Sequence, residues 1–277
     1  MSDSLNQIVR IGEGATNEAI KACCAAVYES DWARLLLGES YHPGGLALTG
    51  QLGTLASLGP GMRVLDVASG NGASAIYLGE RFGCKVVGID YSRAAVAAAN
   101  EAASEAGQAS QVYFKVGDAE RLPFEDNSFQ AIICECAFCT FPDKLTAAAE
   151  FSRLLQPGGR LGLSDITRNG ALPAELESLL AWIACFADAQ PLEGYVDYLE
   201  TAGLVVDQIE KRDDVLKQTA VDVQGKLLGA EMLVKLNKVD LPGIDLRQAR
   251  RMACSASKAI SDGKLGYALI AASAPRE

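Results

Sequence analysis

RVLDVASGNGASAIYLGERFGCKVVGID, residues 63–90, is the stretch from which the fold can be read. Val64 to Val67 is a short apolar run of the kind that a strand buried on both faces of a parallel sheet requires. The chain then turns through Ala68-Ser69-Gly70-Asn71-Gly72, where the glycines permit positive φ and let a ligand approach the main chain. Ala73 to Phe82 carries apolar residues at helical spacing, and Cys84 to Ile89 reads as the next strand, with Asp90 at its carboxyl end. An acidic residue roughly 20 positions after the glycine turn is where a βαβ nucleotide site contacts a ribose. The unit therefore implies a ligand that contains adenosine.

The turn narrows the ligand further. A dinucleotide fingerprint needs a third glycine, and Ala75 stands at that place. Asp66, just before the turn, would repel a phosphate but could hold an ammonium group, so a cationic ligand without phosphate fits better. Here the chain resembles the class I S-adenosylmethionine-dependent methyltransferases, whose first motif, D-x-G/A-x-G-x-G, corresponds to Asp66 through Gly72. Further matches follow in order: Gly117-Asp118-Ala119 after a third strand (112–116), Leu122 to Phe129 as L-P-F-x-D-x-S-F, and Gln156-Pro157-Gly158-Gly159-Arg160 as a turn into a fifth strand, Leu161 to Asp165. A fourth strand is expected over Ala131 to Cys136.

The resemblance implies an α/β fold: a doubly wound, seven-stranded, mostly parallel, Rossmann-like sheet. It also implies S-adenosylmethionine as cofactor, held by Tyr41, Asp66, Ala68, Gly70, Asn71, Gly72, Asp90, Tyr91, Asp118, Ala119 and Glu135. Ser92 is expected to cap a helix that Gly107 ends. One methyltransferase domain is expected over 1–277, with a helical cap in 1–60, the cofactor core in 61–166 and substrate-side helices and the last strands in 167–277. Thr16 to Leu37 and Leu46 to Leu58 have helical spacing in the cap. Further helices are expected at Leu172 to Ala187, Leu192 to Ala202, Val215 to Leu236 and Asp245 to Ser261, with strands at Leu204 to Ile209 and Tyr267 to Ser273. The two long helices interrupt the final hairpin and are expected to cap the active site.

Composition bounds the partners. The 277 residues carry a net charge of −10 and no basic block, which argues against a nucleic-acid substrate and for a small molecule. No apolar run approaches the length of a membrane span, and the polar start lacks the regions of a signal peptide, so a cytoplasmic location without membrane association is expected. Eight cysteines then read as reduced thiols. A homodimer is left open, and no resident metal is expected.

The acceptor must be read from the flanks. His42, the only histidine, beside Pro43-Gly44-Gly45, reads either as a general base or as a loop and cofactor contact. Glu135, Asp165 and Asp188 are further candidate bases, each with a solvated or cofactor-contact alternative. Cys134, Cys136 and Cys139 fall at and after the fourth strand, and alternation would set Cys134 and Cys136 on one face and Glu135 on the other. Cys23 and Cys24 read most simply as packing. The place of Cys185, ahead of Leu192-Glu193-Gly194-Tyr195, is similar to that of a substrate-binding cysteine in arsenite methyltransferases, and Cys254 could match a second. The alternative for these thiols is packing as small buried hydrophobes. Cys185, Cys254 and His42 are thus the candidate catalytic residues. Two enzymatic readings follow: methyl transfer to a soft nucleophile, either a thiol or trivalent arsenic, or to an oxygen, nitrogen or carbon of a small organic acceptor. A third has the chain sensing the cofactor without turnover.

Overall fold

The computed structural model describes residues 16–29, 38, 40–176, 185–186, 188–236 and 245–276. Helix α1 (Asn17–Tyr28) is capped by Thr16, whose hydroxyl accepts from the Ala19 amide, and α2 (Gly45–Leu55) follows the Pro-Gly-Gly break. The alternating core then runs β1 (Arg63–Val67), α3 (Ala73–Phe82), β2 (Lys85–Asp90), α4 (Arg93–Glu105), β3 (Val112–Val116), β4 (Phe129–Glu135), α5 (Lys144–Leu154) and β5 (Leu155–Arg168). Then come α6 (Leu192–Thr201), β6 (Val205–Lys211), the long α7 (Asp213–Lys235), α8 (Leu246–Ser261) and β7 (Leu265–Ser273).

The seven strands form one sheet in the order β3-β2-β1-β4-β5-β7-β6, with β7 antiparallel to both neighbours and the remaining pairings parallel. The expected α/β fold is the one observed. β1, β4 and β7 are buried almost throughout, because helices cover both faces of a parallel core. The order reverses between β1 and β4: the chain winds outward through β2 and β3, then returns to the other side of β1. That reversal leaves a crevice beyond the carboxyl ends of β1 and β4, the place where open α/β sheets bind ligands.

Ser92 and Gly107 end α4 as expected; the Ser92 hydroxyl accepts from the Ala95 amide, and Gly107 has φ +68°. Two boundaries differ from the sequence reading. β4 stops at Glu135, because Cys136 adopts a left-handed conformation, φ +51°. β5 begins at Leu155 rather than Leu161: Leu155 pairs with Phe129, the register shifts, and pairing resumes at Arg160 with Ala131. The 156–160 segment is therefore an irregularity within a long strand. In the expected helix over 172–187, the described part holds a 3₁₀ turn at Ala174–Leu176, and 177–184 and 187 lie outside the described residues. Among the described residues no helix is long and apolar enough to cross a membrane.

The packing of β2 on β3 depends on Gly88. A Cβ there would lie 2.2 Å from Cδ1 of Phe114 and 2.7 Å from Oγ of Ser69. Gly88→Ala is expected to cost about 1–3 kcal/mol by overpacking and to lower Tm by roughly 3–10 °C in a calorimetric scan; an unchanged Tm would show that Phe114 yields freely.

Candidate active site

The crevice holds a cavity of about 360 Å³, floored by the carboxyl ends of β1, β2 and β4 and roofed by α1 and the Ser40-Tyr41-His42 segment. Its geometry starts with the β1–α3 turn, where Ala68, Gly70 and Gly72 have φ of +59°, +53° and +84°. The coil aims backbone N–H groups at Asp90: Oδ2 accepts from the Gly70 amide and Oδ1 from the Ser92 amide, both at 2.8 Å. Burial pushes the Asp90 carboxyl up, while these amide bonds oppose the shift. The Tyr41 ring packs over Gly70 and meets Tyr28 edge-on at 5.9 Å.

Asp66 is buried at the end of β1, and its Oδ2 has no hydrogen-bond partner; nor has the Oγ of Ser69. Burial raises the Asp66 pKa well above the usual carboxylate range, and Glu135 and Asp90 add to the effect. Three carboxylates crowd one wall. Such a wall gains by admitting a cation, and an unpartnered buried oxygen gains by meeting a donor. These features fit a ligand with a positive centre and an amino group, and in that respect they fit S-adenosylmethionine.

His42 enters the same wall from the break before α2. Its Nδ1 lies 3.1 Å from the Pro43 carbonyl, so Nδ1 carries a proton, and in the neutral ring Nε2 then accepts. Nε2 is 3.3 Å from the hydroxyls of Ser74 and Thr49 and 3.4 Å from Oε2 of Glu135, and Thr49 donates to Glu135. Glu135 and Cys136 both line the cavity, whereas Cys134 sits in the sheet core. The expected alternation fails because the left-handed Cys136 turns its side chain off the strand.

Helix α1 closes the opposite side through ionic contacts that span the chain. Lys21 Nζ donates to Asp118 at 2.8 Å and to Glu120 at 2.5 Å, and Ser92 donates to Glu29 at 2.5 Å. Nothing in the sequence marks Lys21, because its partners are 97 and 99 residues away. Lys21→Met would leave two carboxylates unpaired and loosen the roof. It is expected to weaken cofactor binding about three- to tenfold by titration calorimetry; unchanged or tighter binding would refute this role.

The thiols form a second cluster behind Cys136. Cys185, also left-handed at φ +64°, places its Sγ 3.2 Å from the carbonyl oxygen of Cys136 and 3.8 Å from the Tyr28 hydroxyl. Hydrogen bonds from Cys136 and then Cys139 hold the Cys185 thiol well below the usual thiol range against its burial, with Tyr28 and the Lys144 ammonium adding. Its contact to the carbonyl belongs to the neutral thiol, which donates; a thiolate would turn to its three donors instead. Lys144 is itself buried and paired with Asp188. Asp165, whose oxygens accept from the Cys139 and Ile166 amides, is pushed up to about 7 by burial and then by Cys185. Cys24 lines the cavity, and burial pushes its thiol up to about 12.

Of the residues expected to hold the cofactor, all but Gly72 line the cavity; Gly72 instead caps α3 beneath Phe114. Cys23 packs as expected, but Cys24 lines the cavity. Cys254 is a correction. It is exposed on α8, whose buried face carries Ala256, Ala259 and Ile260, so it does not join Cys185. Among the described residues no side chain of α7 or α8 lines the cavity, so the expected cap is supplied by α1. Cys139 joins Cys185 because a 3₁₀ turn, Phe138–Thr140, follows Cys136. Among the described residues no three Cys, His, Asp or Glu side chains form a metal-ion site.

Comparison with known proteins agrees with this geometry. The family described as a methyltransferase domain matches residues 58–219. Methyltransferase GfsG of Streptomyces halstedii is 30% identical over 77% of this chain and 80% of its own length. The arsenite methyltransferase of Halobacterium salinarum is 27% identical over 57% of this chain but only 41% of its own length. The structure of the [4+2]-cyclase SpnF superposes with a TM-score of 0.78, covering 95% of this chain and 98% of that one at 22% identity, a likeness of fold alone. The chain belongs to the methyltransferase-domain family, of the class I, S-adenosylmethionine-dependent type.

Proposed function

We propose that this chain transfers the methyl group of S-adenosylmethionine to a small soft nucleophile, a thiol or hydrosulfide or trivalent arsenic. The observation that carries the reading is the convergence of Cys136, Cys139 and Cys185 at the end of β4, beside a cavity wall formed by Cys136, Cys24 and Tyr28. Soft thiolates select soft centres.

Asp90 would hold the ribose and Asp118 the adenine amino group, while Asp66 and Ser69 would supply the unpartnered oxygens for the amino-acid end. When bound, the cofactor supplies a methyl group already activated by a sulfonium. The protein's own work is then to orient the acceptor and exclude water. α1 and Tyr41 roof the cavity, and the thiols beyond β4 receive a soft acceptor. A thiol acceptor has to lose its proton, and Asp165, with a pKa near 7, stands beside the cluster to take it.

The test is release of S-adenosylhomocysteine across arsenite, methanethiol, sulfide, phenolic and amine acceptors. Turnover with the soft members supports the proposal, and turnover confined to oxygen or nitrogen acceptors overturns it. A second reading rests on the buried pair of His42 and Glu135, 3.4 Å apart at the cavity wall. It can take a proton from a harder acceptor, and under that reading loss of His42 is the severe defect.

A further inference from the structure

Cys136 is the thiol of the β4 end that the fold turns toward the cofactor cavity. Parallel pairing sets Val67 beside Cys134, so Glu135 and Cys136 follow on β4 as Ala68 and Ser69 follow on β1. The Cys136 amide stays tied to the sheet, donating to the Ser164 carbonyl at 2.7 Å, while the left-handed φ of +51° swings its side chain off the strand. It lines the cavity beside Asp66, whose buried, unpartnered Oδ2 marks this wall as a place for a ligand's charged end. Cys136 is partly exposed there, whereas Cys134, Cys139 and Cys185 are buried. Asp118, Asp90, Asp66 and Cys136 succeed one another across the sheet, at the ends of β3, β2, β1 and β4. With the adenine, the ribose and the amino-acid end assigned to the first three, the transferable methyl is left facing the fourth.

We propose that Cys136 is itself a methyl acceptor: when no substrate is present it takes the methyl group of bound S-adenosylmethionine and becomes S-methylcysteine. A base is at hand. Cys136 is hydrogen-bonded to Cys185, and that bond, then burial, holds the Cys136 thiol above its usual range, so it keeps its proton at rest. Cys185, held below its range, is the thiolate that takes the proton. Glu135, the adjacent carboxylate, is engaged with the Thr49 hydroxyl at 3.0 Å and His42 at 3.4 Å. In the step, the Cys136 sulfur forms a bond to the methyl carbon, and the bond from that carbon to the sulfonium breaks, its electron pair going to the departing S-adenosylhomocysteine. The Cys136 proton passes to Cys185. One cation and one thiolate are consumed together, which leaves a buried site without net charge. The proposal rests on the cofactor placement given above and not on the choice of acceptor. An acceptor seated at the thiols stands between Cys136 and the methyl, so the reaction is confined to the enzyme without substrate; once methylated, Cys136 can neither donate to Cys185 nor bind a soft centre as a thiolate.

Peptide mass mapping of the full chain, incubated with S-adenosylmethionine and no acceptor, tests this. One methyl group on Cys136 is expected, trideuterated when the cofactor carries a trideuteromethyl group, and excess S-adenosylhomocysteine should prevent its appearance. A second readout needs no turnover: S-adenosylhomocysteine should slow alkylation of Cys136 by N-ethylmaleimide at least about tenfold, because the occupied cavity covers the thiol. Cys136→Ser should lose the methyl mark, and Cys185→Ser should slow its appearance at least about tenfold by removing the base. Should either variant fail to fold, the wild-type map decides alone. If titration calorimetry shows cofactor binding, an unmethylated Cys136, a methyl on Cys24 instead, or methylation that S-adenosylhomocysteine does not slow overturns the proposal. A chain that binds no cofactor overturns the placement and the proposal together.

Discussion

Cys185→Ser is expected to lower turnover of a soft acceptor at least about 100-fold, equivalent to about 2.7 kcal/mol in the barrier, with cofactor affinity changed less than about threefold. Serine is nearly isosteric and keeps the hydrogen bonds from Cys136, Cys139 and Tyr28, yet it neither ionises near neutrality nor binds a soft centre. A role in packing alone would show as a small loss of stability with turnover retained, and that result would sink the soft-nucleophile proposal. The pH dependence gives a second readout of the same group. Because the Cys185 pKa is lowered, the thiolate persists below the range where an ordinary thiol protonates. Turnover of trivalent arsenic should therefore stay level through neutral pH and fall only as acid protonates Cys185, whereas turnover of a thiol acceptor should already fall near pH 7, as Asp165 takes up its proton and can no longer serve as the base.

Asp90→Ala is expected to weaken cofactor binding about 100-fold by titration calorimetry. Hydrogen bonds to a charged carboxylate contribute about 1.5–3 kcal/mol each, and the same carboxylate ties Gly70 to Ser92, so its loss would remove the proposed ribose contact and slacken the turn together. Asp90→Asn keeps one acceptor oxygen and should fall between wild type and Asp90→Ala. A Kd within about threefold of wild type in Asp90→Ala would show that the ribose is held elsewhere. Since Asp90 and Cys185 belong to different clusters, affinity loss in one variant and turnover loss in the other would separate the binding half of the site from the reacting half.

The gathering of Asp66, Gly70, Asp90 and Asp118 at one cavity was legible in the chain because it is local. Asp66, the glycine turn, Asp90 and Asp118 lie on consecutive βα units, so spacing alone delivers them to the same end of the sheet. The thiol cluster was half legible. Cys136 and Cys139 are three residues apart, but their meeting with Cys185 depends on a left-handed Cys136 ending β4 early and a left-handed Cys185 turning back toward it. Neither conformation has a signature in a non-glycine residue. Cys254 misled because helical spacing tells which residues share a face, whereas packing against the rest of the fold tells which face is buried.

The roof was the least legible part. Lys21, Cys24 and Tyr28 lie on a helix whose amphipathic pattern suits any docking place, and the long α7 and α8, expected over the cavity, pack elsewhere. Alternating strands and helices, their caps and the turn chemistry come from short-range stereochemistry, which acts between near neighbours in sequence. The choice of α1 as roof, the pairing of Lys21 with Asp118 and the gathering of the cysteines are contacts between distant parts of the chain, and only the folded sheet brings their partners within reach.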